Sequence, residues 1–141
     1  ITIFLCDRYP EAGLAPAIDG PGRPKFLQLL VYFSSSVQNA FQMFYYPDRF
    51  ADTPDHEHGS QARACRRLRE VWQVVDEGIG SNEWMLGDKF SAADVYLFML
   101  TTWLIPEQGH PEVQDFPNVF RIAKKVQKRK SIQHVYGTIY P

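Results

Sequence analysis

Ser35, Gln38, Gln42 and Tyr45 recur at intervals of three and four, which on a helix gathers two hydroxyls and two amides along one face. Such groups orient a ligand by hydrogen bonds, and beside apolar rings they suit one wall of a small-molecule cleft. The same stripe also reads as wet surface. Trp103 could line the cleft with an aromatic ring, or it could be core. Ser34, Ser35 and Ser36 sit together where a helix interior disfavours serine. That local conflict marks either a close small-residue contact or a functional face.

The other reactive residues are scattered. His56 and His58 flank Glu57 beside Asp55, but a spacing of two at a helix start turns the rings to different sides. The group reads as a solvated acidic cap, and no metal site is expected. His110 and His134 stand alone and read as structure or surface. Cys6 and Cys65 lie far apart, without ligand spacing or a secretory framework, and are expected as free thiols in a reducing compartment. Lys124, Lys125, Lys128, Arg129 and Lys130 gather near a helix C-terminus, where they complement its dipole. With a formal net charge of -1, a nucleic-acid partner held by phosphate neutralisation is not expected.

Elements must hold these residues in place. The 141 residues, 45% apolar and 22% charged, suit one sizeable soluble core. Nothing resembles a signal peptide, and no apolar run approaches the ~20 residues of a membrane span, so a cytoplasmic location is expected. Phe26, Leu30, Phe33, Val37, Phe41 and Phe44 predict a long helix over 25–46, ended by Pro47. A second helix runs from about residue 57 to Gly78, with Leu68, Trp72, Val75 and Ile79 as its apolar stripe. Pro117 at the first position opens a helix over 117–130 that turns Val119, Ile122, Ala123 and Val126 inward. A short last helix over 132–136 ends at Gly137. No alternating strand pattern is present, and the fold class is read as all-α.

One helix start is written out in full. In Phe90-Ser91-Ala92-Ala93-Asp94-Val95, the Ser91 side chain can accept from the Asp94 amide while the Asp94 carboxylate reaches back to the Ser91 amide. Phe90 and Val95 occupy the two positions of a hydrophobic staple. A cap of this kind is worth ~1 kcal/mol. It heads a segment over 92–105 that is apolar nearly all round, the pattern of a buried central helix.

Taken together, nearly the whole chain resembles the cytosolic glutathione transferases. Ile3-Phe4-Leu5-Cys6-Asp7-Arg8-Tyr9-Pro10, followed by Leu14-Ala15-Pro16, is similar to the last helix of the family's thioredoxin-like domain and the linker after it. Trp84-Met85-Leu86-Gly87-Asp88-Lys89-Phe90-Ser91-Ala92-Ala93-Asp94 is similar to the family's helix-capping motif. Phe116-Pro117-Asn118-Val119 with Val126, Arg129 and Ile132-Gln133 resembles its late helices, although Arg129-Lys130 stands where relatives usually carry Arg-Pro.

The resemblance implies a glutathione transferase C-terminal-like helical bundle, with the thioredoxin-like N-terminal domain almost entirely missing. Residues 1–9 are then a remnant of that domain's last helix, without a plausible N-cap of its own, 10–24 a linker, and 25–141 the helical domain. The intact protein is expected to be a homodimer that conjugates glutathione to small hydrophobic electrophiles, in detoxification, without metal, nucleic acid or membrane. Glutathione, the co-substrate, would be bound and activated mainly by the upstream domain, so no catalytic residue is carried over and the segment alone is expected to be inactive. Gln38 and Trp103 match electrophile-site positions of bacterial-like members. Some relatives place a His where Gln38 stands, and an amide orients a substrate or water but is a poor proton shuttle. Ser35, Gln42 and Tyr45 join them by periodicity. The rival reading is a non-catalytic assembly or ligand-binding module. Without its partner domain, the first long helix and the capped helix would expose an apolar face, and the segment is expected to oligomerise.

Overall fold

Asp94, completely buried, organises the middle of the molecule. The computed structural model describes residues 1–140; Pro141, the last residue of the expected helical domain, lies outside them. Among the described residues the α-helices are α1 (Thr2–Arg8), α2 (Arg23–Tyr32), α3 (Gln38–Tyr45), α4 (Glu57–Ile79), α5 (Ala92–Thr101), α6 (Pro117–Gln127) and α7 (Lys130–Tyr136). The described residues contain no strand, only one isolated bridge between Trp84 and Gly87. The fold is all-α, as expected, and no described helix is long and apolar enough to cross a membrane.

The capped helix is central. Leu97, Phe98 and Leu100 of α5 are fully buried, and the helix packs on α6 and α2. The box closes in both directions: the Ser91 amide donates to Asp94 Oδ2 at 2.8 Å, and Ser91 Oγ accepts from the Ala93 amide at 3.2 Å. The second carboxylate oxygen does something the sequence did not announce. It accepts from the Met85 amide at 2.8 Å, tying α5 to the 84–87 turn, where Gly87 takes the left-handed φ of +91° that favours glycine. Phe90 and Val95 both pack against the core, with the Phe90 ring edge-on to Trp84 and the Arg129 guanidinium 3.9 Å from the ring centroid.

The longest described helix is α4. Ala64, Leu68, Val71, Trp72, Val75 and Ile79 form the buried stripe of α4, which packs on α3 and α6. The start of α6 has no side-chain cap of its own. Asp76 of α4 supplies one from outside, its Oδ1 accepting from the Asn118 and Val119 amides at 2.7 and 2.9 Å. Negative charge at a helix N-terminus is favourable twice over, through the orphan amides and through the dipole.

Four expected helices depart from their predicted bounds, two of them with a local cause in the hydrogen bonding. The single helix expected over 25–46 is α2 and α3 joined by a π-helical turn, Phe33–Val37. The hydroxyls of Ser34 and Ser35 both donate to the Val31 carbonyl, at 3.0 and 2.8 Å, competing for the acceptor that a regular α-turn would use. The α5 helix ends at Thr101 rather than 105, where Thr101 and Thr102 hydroxyls each donate at 2.7 Å to carbonyls of the last turn, those of Phe98 and Met99. The helix expected over 117–130 stops at Gln127, and α7 begins three residues later at Lys130.

The first 22 residues are fastened to the bundle by polar contacts. Arg23, only 7% exposed, grips Asp7 of α1 through two nitrogens at 2.8 and 2.9 Å and donates to the Pro16 carbonyl at 3.3 Å. The Leu14 carbonyl accepts from the Ala92 amide at 2.7 Å, satisfying an orphan donor at the start of α5. Exposed apolar surface gathers on α1, where Phe4 is 67% and Leu5 47% exposed. On α5 the apolar residues are buried or half-buried, which corrects the expectation of a patch on the capped helix, whereas Val31 of the first long helix is exposed.

Candidate functional site

Amides and aromatic rings from α3 meet the end of α5 in a cleft of about 500 Å³. Gln38, Phe41, Gln42 and Tyr45 line it from α3, and Trp103 and Ile105 from the segment after α5. Phe41 packs edge-on to Trp103 with ring centroids 5.5 Å apart. The arrangement is an apolar pocket with a few convergent polar groups, the form that binds small molecules.

Four of the five residues expected at an electrophile site therefore share one cleft: Gln38, Gln42, Tyr45 and Trp103. Ser35 does not line it. Its side chain is exposed and its hydroxyl is spent on the Val31 carbonyl. The reason is the π-turn, which breaks the 3.6-residue period between Ser35 and Gln38 and so takes Ser35 out of line with the residues that follow. Tyr46, Thr102 and Ile105 also line the cleft and were not anticipated. For Thr102 and Ile105 the signal was hidden, because a regular helix to residue 105 would not have turned the chain there.

Behind the aromatic wall lies His110, only 4% exposed. Its ring is edge-on to Phe41, Phe44 and Tyr45, at centroid distances of 5.7, 4.3 and 5.9 Å. The Ile105 amide donates to its Nδ1 at 3.1 Å, holding the loop after α5 against the wall. Burial holds the imidazole below its ordinary value of 6.5, with the Trp103 carbonyl pulling weakly the other way. A base depressed in the folded state contributes stability that is present above its unfolded value and lost as pH falls through the folded one. Denaturant unfolding of wild type should thus show falling stability as pH drops below about 6.5. His110→Leu should lose less over the same interval, and equal losses would remove the imidazole from the explanation.

No nucleophile is poised here. Burial pushes the thiols of Cys6 and Cys65 above the ordinary range, Asp7 adding to the effect at Cys6, so neither favours thiolate at neutral pH. Tyr45 and Tyr96 are likewise pushed up by burial and stay protonated. His56 and His58 are exposed at the beginning of α4, and no three His, Cys, Asp or Glu side chains cluster to hold a metal among the described residues. The cleft offers groups that can bind and orient a small molecule.

Comparison with known proteins identifies the family. A family model described as "Glutathione S-transferase, C-terminal domain" matches residues 36–136. Glutathione S-transferase GstA of Escherichia coli O157:H7 is 29% identical over 103 residues, which cover 73% of this chain and 48% of the relative. Among solved structures, a glutathione transferase homolog from Sulfitobacter with bound glutathione superposes with a TM-score of 0.82 at 22% identity, covering 94% of this chain and 62% of the other. A sphingomonad glutathione S-transferase complexed with glutathione gives 0.78 at 23% identity, with the same coverages of 94% and 62%. The chain thus spans about half the length of the curated relative it matches.

Proposed function

The chain belongs to the glutathione S-transferase C-terminal domain family, and from that premise we propose that it supplies the electrophile-binding half of a glutathione transferase. One observation carries the reading: Gln38 and Trp103, far apart in sequence, converge with Gln42 and Tyr45 on a single apolar cleft. In the proposed reaction the thiolate sulfur of glutathione forms a bond to the electrophilic carbon, and the leaving group departs with its electron pair. This chain's residues hold and orient the electrophile. The glutathione-activating group belongs, on this reading, to a thioredoxin-like domain of which residues 1–9 are the last helix, followed by a linker at 10–24 and the helical domain at 25–141. The exposed Phe4 and Leu5 of α1 are the surface such a domain would cover. Homodimerisation, a cytoplasmic location and a role in detoxification complete the proposal.

The test is kinetic. In the full-length protein, assayed with glutathione and 1-chloro-2,4-dinitrobenzene, Trp103→Ala and Gln38→Ala should each weaken apparent affinity for the aryl chloride by about five- to twentyfold. Affinity for glutathione should change less than twofold. A protein that neither conjugates nor retains glutathione, yet assembles normally, would instead be a non-catalytic module on the same fold.

A further inference from the structure

Gln38 is not free to turn within the cleft. From α5 the Tyr96 hydroxyl donates to Gln38 Oε1 at 2.6 Å, joining residues 58 apart in sequence. A terminal amide has one oxygen acceptor and one NH₂ donor group, so engaging the oxygen leaves the NH₂ as the group offered to a ligand. Burial keeps the Tyr96 phenol protonated and therefore a donor at neutral pH. Its ring is braced edge-on against Phe33, at a centroid distance of 5.4 Å. Phe33 begins the π-turn that leads directly into Gln38, and the Ser34 and Ser35 hydroxyls pin that turn to the Val31 carbonyl. Interruptions of this kind in a helix occur frequently at functional sites.

We propose that Tyr96 is a positioning residue: its hydroxyl locks the Gln38 amide so that the cleft presents a fixed hydrogen-bond donor to an acceptor atom on an apolar ligand, such as a nitro or carbonyl oxygen. The proposal rests on reading the cleft as an electrophile site and states what that electrophile must carry. Released from Tyr96, the amide can present its oxygen instead, which repels an acceptor. A ligand dependent on the donor then loses about tenfold in affinity.

Calorimetric titration of the full-length protein with two glutathione thioethers tests this. S-(2,4-dinitrophenyl)glutathione brings acceptors into the cleft, while S-hexylglutathione brings only hydrocarbon. Tyr96→Phe should weaken the dinitrophenyl conjugate about five- to tenfold and the hexyl conjugate less than twofold. Gln38→Glu keeps an acceptor for Tyr96 but has no donor, and it should weaken the dinitrophenyl conjugate at least as much. Tyr96→Phe added to Gln38→Ala should produce no further loss, because the locked group is already gone. Equal weakening of both conjugates by Tyr96→Phe would show a general packing role and overturn the proposal. Additive losses in the double variant would overturn it as well. If Gln38→Ala and Trp103→Ala weaken binding while Tyr96→Phe does not, the lock alone fails. If all three leave both conjugates unaffected, the cleft is not the electrophile site and both readings fall.

Discussion

Asp94→Ala should lower the unfolding free energy by about 4 kcal/mol, because it strands two buried backbone amides at once. The Ser91 and Met85 amides each donate to this carboxylate at 2.8 Å, and the Ser91 hydroxyl adds a third bond at 3.0 Å. An unsatisfied buried donor costs roughly 1–3 kcal/mol, and loss of the cap adds about 1. Against a total of about 5–15 kcal/mol for a native domain, the melting temperature should fall by roughly 10–15 °C. Ser91→Ala should cost only about 1 kcal/mol, since its own amide remains bonded to Asp94. Chemical denaturation of the two variants decides the matter. Equal losses would mean that the reach to Met85 contributes nothing.

The pH dependence of the same residue has a definite sign. Burial pushes the Asp94 carboxyl above its usual range, and the hydrogen bonds from Met85 and Ser91 only partly oppose it. An acid raised in the folded state takes up a proton on folding, so its contribution is fully present below the unfolded value and declines as pH rises through the folded one. The gap between wild type and Asp94→Ala should therefore be widest below about pH 4 and narrow toward neutrality. A gap that widens with pH would contradict the dominance of desolvation.

What could be read from the sequence was what lies close along the chain. Ser91 and Asp94 are three residues apart, so the cap, the helix it starts and that helix's place in the core were all legible. The apolar stripes of α4 and α6 were legible for the same reason, being periodic within one element. Gln38, Gln42 and Tyr45 were found because the regular helix α3 carries them. Ser35 was misplaced because the serine cluster alters the helical period just where the stripe was extrapolated. The local conflict of three serines inside a helix is the visible trace of the π-turn. Contacts between elements left no such trace. Tyr96 with Gln38, Arg23 with Asp7 and Asp76 with Asn118 join residues 58, 16 and 42 apart, and no spacing rule relates their members. His110 was seen only as a lone histidine, although its seat among three rings explains why an imidazole is there.

Asp76→Ala should cost about 3 kcal/mol, although Asp76 touches no residue of the cleft. On the buried stripe of α4, among Trp72, Val75 and Ile79, an acidic residue is the exception, and its occupation explains it. The carboxyl accepts from two consecutive backbone amides at the start of α6 and from Asn118 Nδ2 at 3.0 Å. Removing it strands the buried Val119 amide and the half-buried Asn118 amide, and also removes negative charge from a helix N-terminus, worth ~1 kcal/mol by itself. Asp76→Asn keeps one acceptor oxygen and should cost about half as much, while Asn118→Ala, which leaves both backbone bonds intact, should cost about 1 kcal/mol. That order separates capping from packing: if Asp76→Ala and Asn118→Ala are equally destabilising, the backbone amides are not what Asp76 serves. Because α6 supports α5 and α5 leads into Trp103, the consequence for the site is indirect. Well below its melting temperature, Asp76→Ala should bind the dinitrophenyl conjugate within twofold of wild type, and only on approach to unfolding should affinity and stability fall together.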